Sequence, residues 1–170
     1  MSRKLRLTCP LFAPACEGPR RSHEELLIRS TDKSISIMDM EDVQTEIIND
    51  LKDLDDVLAR SDFLIMCGAS YKGIPEDERL ECDLIKDCQT MTWVHTGLQD
   101  GIFTIAADSH SMLIKGALFL ITEIYDRRPM QLVRSFECSL IHLSEFKELF
   151  TADQLRTMRH IVESISVTAG

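Results

Sequence analysis

Residues 87–109 of the 170-residue chain read DCQTMTWVHTGLQDGIFTIAADS. The run at 90–96 is rich in β-branched and aromatic residues, which favour strands. Asp100 and Gly101 then form a turn dipeptide, and residues 102–106 return with the same strand-like character. The segment therefore predicts a β-hairpin, and a short extended piece at 84–86 is expected to add a third strand.

Helical patterns flank this hairpin on both sides. Apolar residues recur at three- and four-residue spacing, as one face of a helix requires. Helices are predicted at 43–54, 55–70, 112–125, 143–150 and 152–166, with a short helix opened by Pro129. In the second helix, the residues expected to face inward are Val57, Leu58, Leu64, Ile65 and Cys67. The predicted fold class is α+β, a two-layer domain with a small three-stranded antiparallel sheet flanked by helices.

The composition and net charge indicate a globular protein and argue against some classes of partner. Hydrophobic residues at 44% and charged residues at 28% are typical of an ordinary globular domain. The net charge of −9 argues against non-specific nucleic-acid binding, which needs clustered cations on the protein. The longest apolar stretch contains Lys115 and Glu123 and is shorter than the roughly 18 residues that span a bilayer. We therefore expect neither a nucleic-acid nor a membrane partner.

The first 37 residues differ from the rest. They carry seven Lys or Arg against four Asp or Glu, whereas the remainder carries twelve against twenty-four. Three prolines and the lack of helical periodicity predict a poorly ordered extension at 1–37 before a domain at 38–170. An organelle transit peptide is one interpretation of the basic extension. The favoured interpretation is that translation starts at Met38 or Met40, in a cytoplasmic protein.

The six cysteines are Cys9, Cys16, Cys67, Cys82, Cys88 and Cys138. No Cys-x-x-Cys pair or zinc-finger spacing occurs, so no structural metal is expected, and reduced thiols are the default. Cys67 lies among apolar neighbours and is expected to be packed. Cys88 directly precedes the strand that carries Trp93, the one tryptophan. His95 is seven residues further on, about 20 Å along an extended strand, and is too far to act as its base.

Three short segments resemble the SufE family of sulfur-acceptor proteins, in order and with fitting separations. They are the run from Cys88 to Trp93, then Ala107-Asp108-Ser109, then Ile114-Lys115-Gly116. The resemblance covers roughly residues 47–165 and implies a SufE-like fold. Two places depart from the family pattern. Asp87 stands where the family has glycine, and Thr151, Gln154 and Leu155 stand where its last helix opens with an arginine and a Gly-Leu pair.

The resemblance implies a function for Cys88. It would accept a persulfide from a pyridoxal-phosphate-dependent (SufS-like) cysteine desulfurase, stimulate that enzyme and pass sulfur on, with an iron–sulfur scaffold as a further partner. Gln89, Asp108 and Lys115 are the candidates to shape the loop or bind the partner. The chain would be a carrier and activator, with no cofactor or metal of its own, rather than a stand-alone enzyme.

Two alternatives stay open. The departures from the family pattern suggest a regulator that binds a desulfurase without carrying sulfur. Cys82 and Cys88, six residues apart, could instead form a redox dithiol.

Overall fold

The computed structural model describes residues 39–86 and 88–168. Two helices come first, then a β-hairpin, and the remaining helices follow it. The helices are α1 Met40–Lys52, α2 Val57–Ser70, α3 Met112–Tyr125, α4 Met130–Ser135, α5 Ser144–Lys147 and α6 Ala152–Thr168. The strands are β1 Thr92–Gln99, β2 Ile102–Ser109 and β3 Arg128–Pro129. Short 3-10 turns lie at Glu76–Glu78, Glu81–Asp83 and Leu140–His142. The predicted extension at 1–37 lies outside the described residues.

The central hairpin has the form that its sequence predicts. β1 and β2 pair antiparallel from Thr92 opposite Ser109 to Gln99 opposite Ile102. The turn residues Asp100 and Gly101 both have positive φ, 53° and 79°. This is the backbone that a tight two-residue hairpin turn requires.

The sheet is three-stranded, antiparallel and open, in the order β1-β2-β3, so the α+β class is confirmed. Its third strand is not the predicted one. Residues 84–86 contribute a single bridge between Leu84 and Trp93, because the chain turns directly afterwards and cannot continue the ladder. The third strand is β3, which pairs with β2 at Ile102 and Phe103.

The core is built around α3, most of whose side chains are buried. α2 packs so closely on α3 that a Cβ atom on Gly116 would lie 1.9 Å from the Leu64 carbonyl oxygen. This contact places Leu64 inside, and Cys67 packs against the core as expected. It also turns the remaining apolar side of α2 outward. The expectation for the three other residues is wrong: Val57, Leu58 and Ile65 are exposed.

Hydrogen bonds from side chains fix where the helices begin. Asp39 accepts from the first amide of α1 at 2.7 Å, and Asp56 accepts from Ala59 in α2 at 2.8 Å. Ser111 accepts from Ile114 in α3 at 3.4 Å. No helix within the described ranges is both long and apolar enough to cross a membrane.

Candidate functional site

Cys88 lies in a short loop at the mouth of β1. The Ile85 amide donates to the Thr92 carbonyl at 2.9 Å, and the Cys88 amide donates to the Ile85 carbonyl at 3.4 Å. We call residues 88–91 the Cys88 loop. The thiol is half-buried, with its Sγ 3.5 Å from the Thr92 hydroxyl oxygen. Asp87, its neighbour in sequence, lies outside the described residues.

The base of this loop is anchored by buried hydroxyl groups. Thr92 is fully buried, and its hydroxyl donates to the Thr90 carbonyl at 3.0 Å. Its oxygen is also 3.1 Å from the Ser109 hydroxyl, which donates to the Met91 carbonyl at 3.3 Å. With its own proton on Thr90, the Thr92 oxygen can accept the proton of the Cys88 thiol. The two strand ends and the loop are thus joined by one polar network.

Asp108 continues that network into the protein. Its side chain is only 2% exposed. One carboxylate oxygen accepts from the Ile74 amide and from Arg79, both at 3.1 Å. The other accepts from the Ser109 amide at 2.8 Å and pairs with Lys115 at 3.1 Å. We call Asp108, the two cations and the Ile74 amide the Asp108 node.

Aromatic rings border the cations of this node. The Arg79 guanidinium lies 4.8 Å from the centroid of the buried Trp93 ring, and the Lys115 ammonium lies 6.0 Å from that of Tyr71. The Tyr71 hydroxyl accepts from the Ala107 amide of β2, and burial raises its pKa. The node therefore joins the segment after α2 to both the hairpin and α3.

Gln89 connects the Cys88 loop to α6. Its side-chain amide donates to Asp153 in the first turn of that helix at 3.2 Å. Beside this contact is an open cavity of about 440 Å³. Its walls are formed by Ile85, Gln89, Asp153, Arg156, Thr157 and His160.

The predicted site residues thus occupy two different environments. Cys88 and the exposed Gln89 share the loop, whereas Asp108 and Lys115 are buried behind it, with Lys115 12% exposed. Arg79 and Asp153 were missed by sequence reasoning. Arg79 is 29 residues from its carboxylate and Asp153 is 64 residues from Gln89, so no local spacing connects them.

The other candidate groups lie elsewhere. The exposed Cys82 is a free thiol whose Sγ lies 3.8 Å from Asp83. His95 pairs with the same aspartate at 3.0 Å. Cys138 is buried, and its burial raises the pKa of the thiol. In the described ranges no group of three or more His, Cys, Asp or Glu residues could hold a metal ion.

Most of the described region matches one family. The family model for SufE, described as an Fe-S metabolism associated domain, matches residues 45–169. The chain belongs to the SufE family. This SufE domain links the chain to iron–sulfur metabolism, and the resemblance carried by the Cys88, Asp108 and Lys115 segments is confirmed at the level of the family.

Comparison with solved structures finds the same fold. A solution structure of a hypothetical protein from Thermus thermophilus matches with a TM-score of 0.57 at 19% sequence identity. The match covers 75% of this chain and 93% of that one. Among curated proteins, no relative matches.

Proposed function

We propose that Cys88 accepts sulfur from the persulfide of a pyridoxal-phosphate-dependent cysteine desulfurase. The Cys88 thiolate attacks the terminal sulfur of the donor persulfide and forms a new S–S bond. The old S–S bond breaks, and the donor cysteine leaves as a thiolate that can take up a proton. The step is an exchange of the same kind as thiol–disulfide exchange and needs no external oxidant or reductant.

The observation that carries this proposal is the position of the thiol. Cys88 is half-buried in a loop at the start of β1, next to a hydroxyl group, and its neighbour Gln89 lines an open cavity. Partial burial can shelter a persulfide between transfers, while a short loop can present it to a partner. Cys138 is a poorer acceptor, because burial raises its pKa and the thiolate is the nucleophile.

The other predicted residues are proposed to support Cys88. Gln89 holds the loop against α6. Asp108 and Lys115 shape it from behind, through Ser109 and Thr92. Since Asp108 is 1% exposed, loop shaping suits it better than direct contact with a partner.

The wider role follows from this chemistry. The carrier would stimulate its SufS-like desulfurase by removing the product sulfur, and would pass that sulfur to an iron–sulfur scaffold. We place this activity in the cytoplasm, where thiols stay reduced. The pyridoxal phosphate belongs to the donor enzyme.

Intact-mass measurement tests the proposal. The protein is incubated with a SufS-type desulfurase and cysteine, and the mass is expected to rise by one sulfur atom. The gain should disappear in Cys88→Ser and persist in Cys82→Ser, the matched control with an exposed thiol.

Three results would contradict the carrier. A gain that survives in Cys88→Ser would place the sulfur on another residue. Stimulation of the desulfurase without any mass gain would support the binding-only regulator. An internal disulfide between Cys82 and Cys88 at cytosolic redox poise would support the redox dithiol.

A further inference from the structure

The first turn of α6 is fixed by hydrogen bonds between side chains and backbone. The Thr151 hydroxyl accepts from the Gln154 amide at 3.3 Å, while the Gln154 side chain accepts from the Thr151 amide at 2.9 Å. This reciprocal pair is a capping box, which fixes the start of a helix. Asp153 lies between the two, and its backbone carbonyl also accepts from the Thr157 hydroxyl at 3.1 Å. The backbone of Asp153 is therefore held in a defined position, and its carboxylate pairs with Arg156 one turn further on.

Cys88 and Gln89 form the tip of the Cys88 loop, and this tip contacts the first turn of α6. Thr90 and Met91 are tied by their carbonyl groups to the buried hydroxyls of Thr92 and Ser109. The tip makes different contacts. Besides the Cys88 amide bond at 3.4 Å and the Cys88–Thr92 contact at 3.5 Å, it has the Gln89–Asp153 bond at 3.2 Å. That last bond connects the tip to another element.

A groove beneath α6 begins beside the Cys88 loop, where Gln89 forms part of its wall. Side chains alternate along a strand, so Thr92, Val94 and Thr96 point to the same face of β1. Val94 and Thr96 line a small cavity with Ile85 and with His160 of α6. Ile85 and His160 also line the larger cavity beside Gln89. A tip held against α6 thus keeps Gln89 at the wall of this groove, while the neighbouring Cys88 sulfur lies next to the Thr92 hydroxyl.

We propose that Gln89 and Asp153 form a clasp that holds the Cys88 loop on α6 and limits access to the Cys88 sulfur. Asp153 is a positioning residue in this role, and the inference rests on the proposed function of Cys88. Both partners are exposed, with the Asp153 side chain at 50%, so one such bond is weak enough to open readily. The clasp lies at the helix start where this sequence departs from the family pattern.

Alkylation of the thiols by iodoacetamide tests the clasp, with Cys82 as the internal reference in each sample. In Gln89→Ala and in Asp153→Ala, the rate at Cys88 is expected to rise about twofold, as loss of one weak hydrogen bond between exposed groups allows. The double variant should be no faster than either single variant, because both remove the same bond. The rate at Cys82 should not change.

Two further variants separate the clasp from other effects. Asp153→Asn removes the charge but keeps an acceptor for Gln89, so it should restore the slow wild-type rate. Arg156→Ala removes the ion pair that Asp153 makes within α6 and should leave the rate at Cys88 unchanged.

Three results would overturn the clasp. They are unchanged rates in both alanine variants, effects that multiply in the double variant, and an Asp153→Asn variant as fast as Asp153→Ala. The assay contains no desulfurase, so a failed clasp and a failed sulfur acceptor give separate results. Sulfur gain with unchanged alkylation rates would remove the clasp and leave the acceptor standing.

Discussion

The Asp108 node and the Cys88 loop lie at the same end of the hairpin, yet they are held in opposite ways. The Asp108 carboxylate is almost completely buried and has four donors at 2.8 to 3.1 Å. The loop tip is half-exposed and reaches α6 through one bond between exposed side chains. The Asp108 node is a buried cluster of charged groups, whereas the loop tip is held by a weak contact at the surface.

This difference suggests that the Asp108 node supports the strand ends while the Cys88 loop is free to open. A thiol that must meet a large partner needs a loop that opens at little free-energy cost. It also needs strand ends that do not move, so that the loop returns to one geometry. Thr92 and Ser109 lie between the two regions and connect them. The variants below should therefore lose less stability as they move from the node to the tip.

The largest loss is expected for Asp108→Ala. Removing the carboxylate leaves Arg79 and Lys115 without their buried partner, which should lower the free energy of unfolding by about 4 kcal/mol. Urea unfolding followed by circular dichroism gives the value. Asp153→Ala is the control, since it also loses an aspartate that pairs with cation and amide, but at an exposed site. Equal losses in the two variants would mean that the buried Asp108 node is no more important for stability than the exposed contacts of Asp153.

Gly73→Ala should come next. Gly73 has φ +64°, and a Cβ atom there would lie 2.6 Å from a carboxylate oxygen of Asp108. Backbone strain and displacement of the node together should lower stability by about 2 to 3 kcal/mol. Gly101→Ala is the matched control: its φ is +79°, but a Cβ atom would meet nothing within 4 Å. That variant should lose only about 1 kcal/mol, and a loss as large as that of Gly73→Ala would mean that the node tolerates displacement.

The hairpin and the core helix could be predicted from sequence because their signals are local. Strand-forming residues around Asp100 and Gly101 define the hairpin, and the predicted helix at 112–125 has the bounds of α3. The two-residue β3 has no alternating pattern to recognise. The facing side of α2 depends on its contact with Gly116, a property of the tertiary structure.

The candidate site divides in the same way. Cys88 and Asp108 could be identified because they lie in segments that resemble a family. Arg79 and Asp153 contribute through contacts across the fold, and both are charged residues in sequences that otherwise indicate exposed surface. Burial of Arg79 depends on Trp93 and Asp108 being already in place.

Thr92→Val tests the junction between the two regions. Valine keeps the shape of threonine but removes the hydroxyl that bonds Thr90 and contacts Ser109. Stability should fall by about 1 kcal/mol, measured by urea unfolding. Thr96→Val is the control on the same face of β1, because its hydroxyl makes no hydrogen bond within the described part of the chain. If both variants lose the same amount, the hydroxyl network does not anchor the loop.

Gln89→Ala should have the smallest effect on stability and an effect confined to the tip. Its one bond to Asp153 joins exposed groups, so the free energy of unfolding should change by less than about 0.5 kcal/mol. Hydrogen exchange at the Cys88 amide should nevertheless become faster, because local opening no longer breaks that bond. Exchange at the His95 amide, in the middle of β1, serves as the control and should stay slow. A stability loss equal to that of Thr92→Val would instead mean that the tip unfolds together with the strand ends at Thr92 and Ser109. The thiol would then reach its partner only when the strand ends also separate.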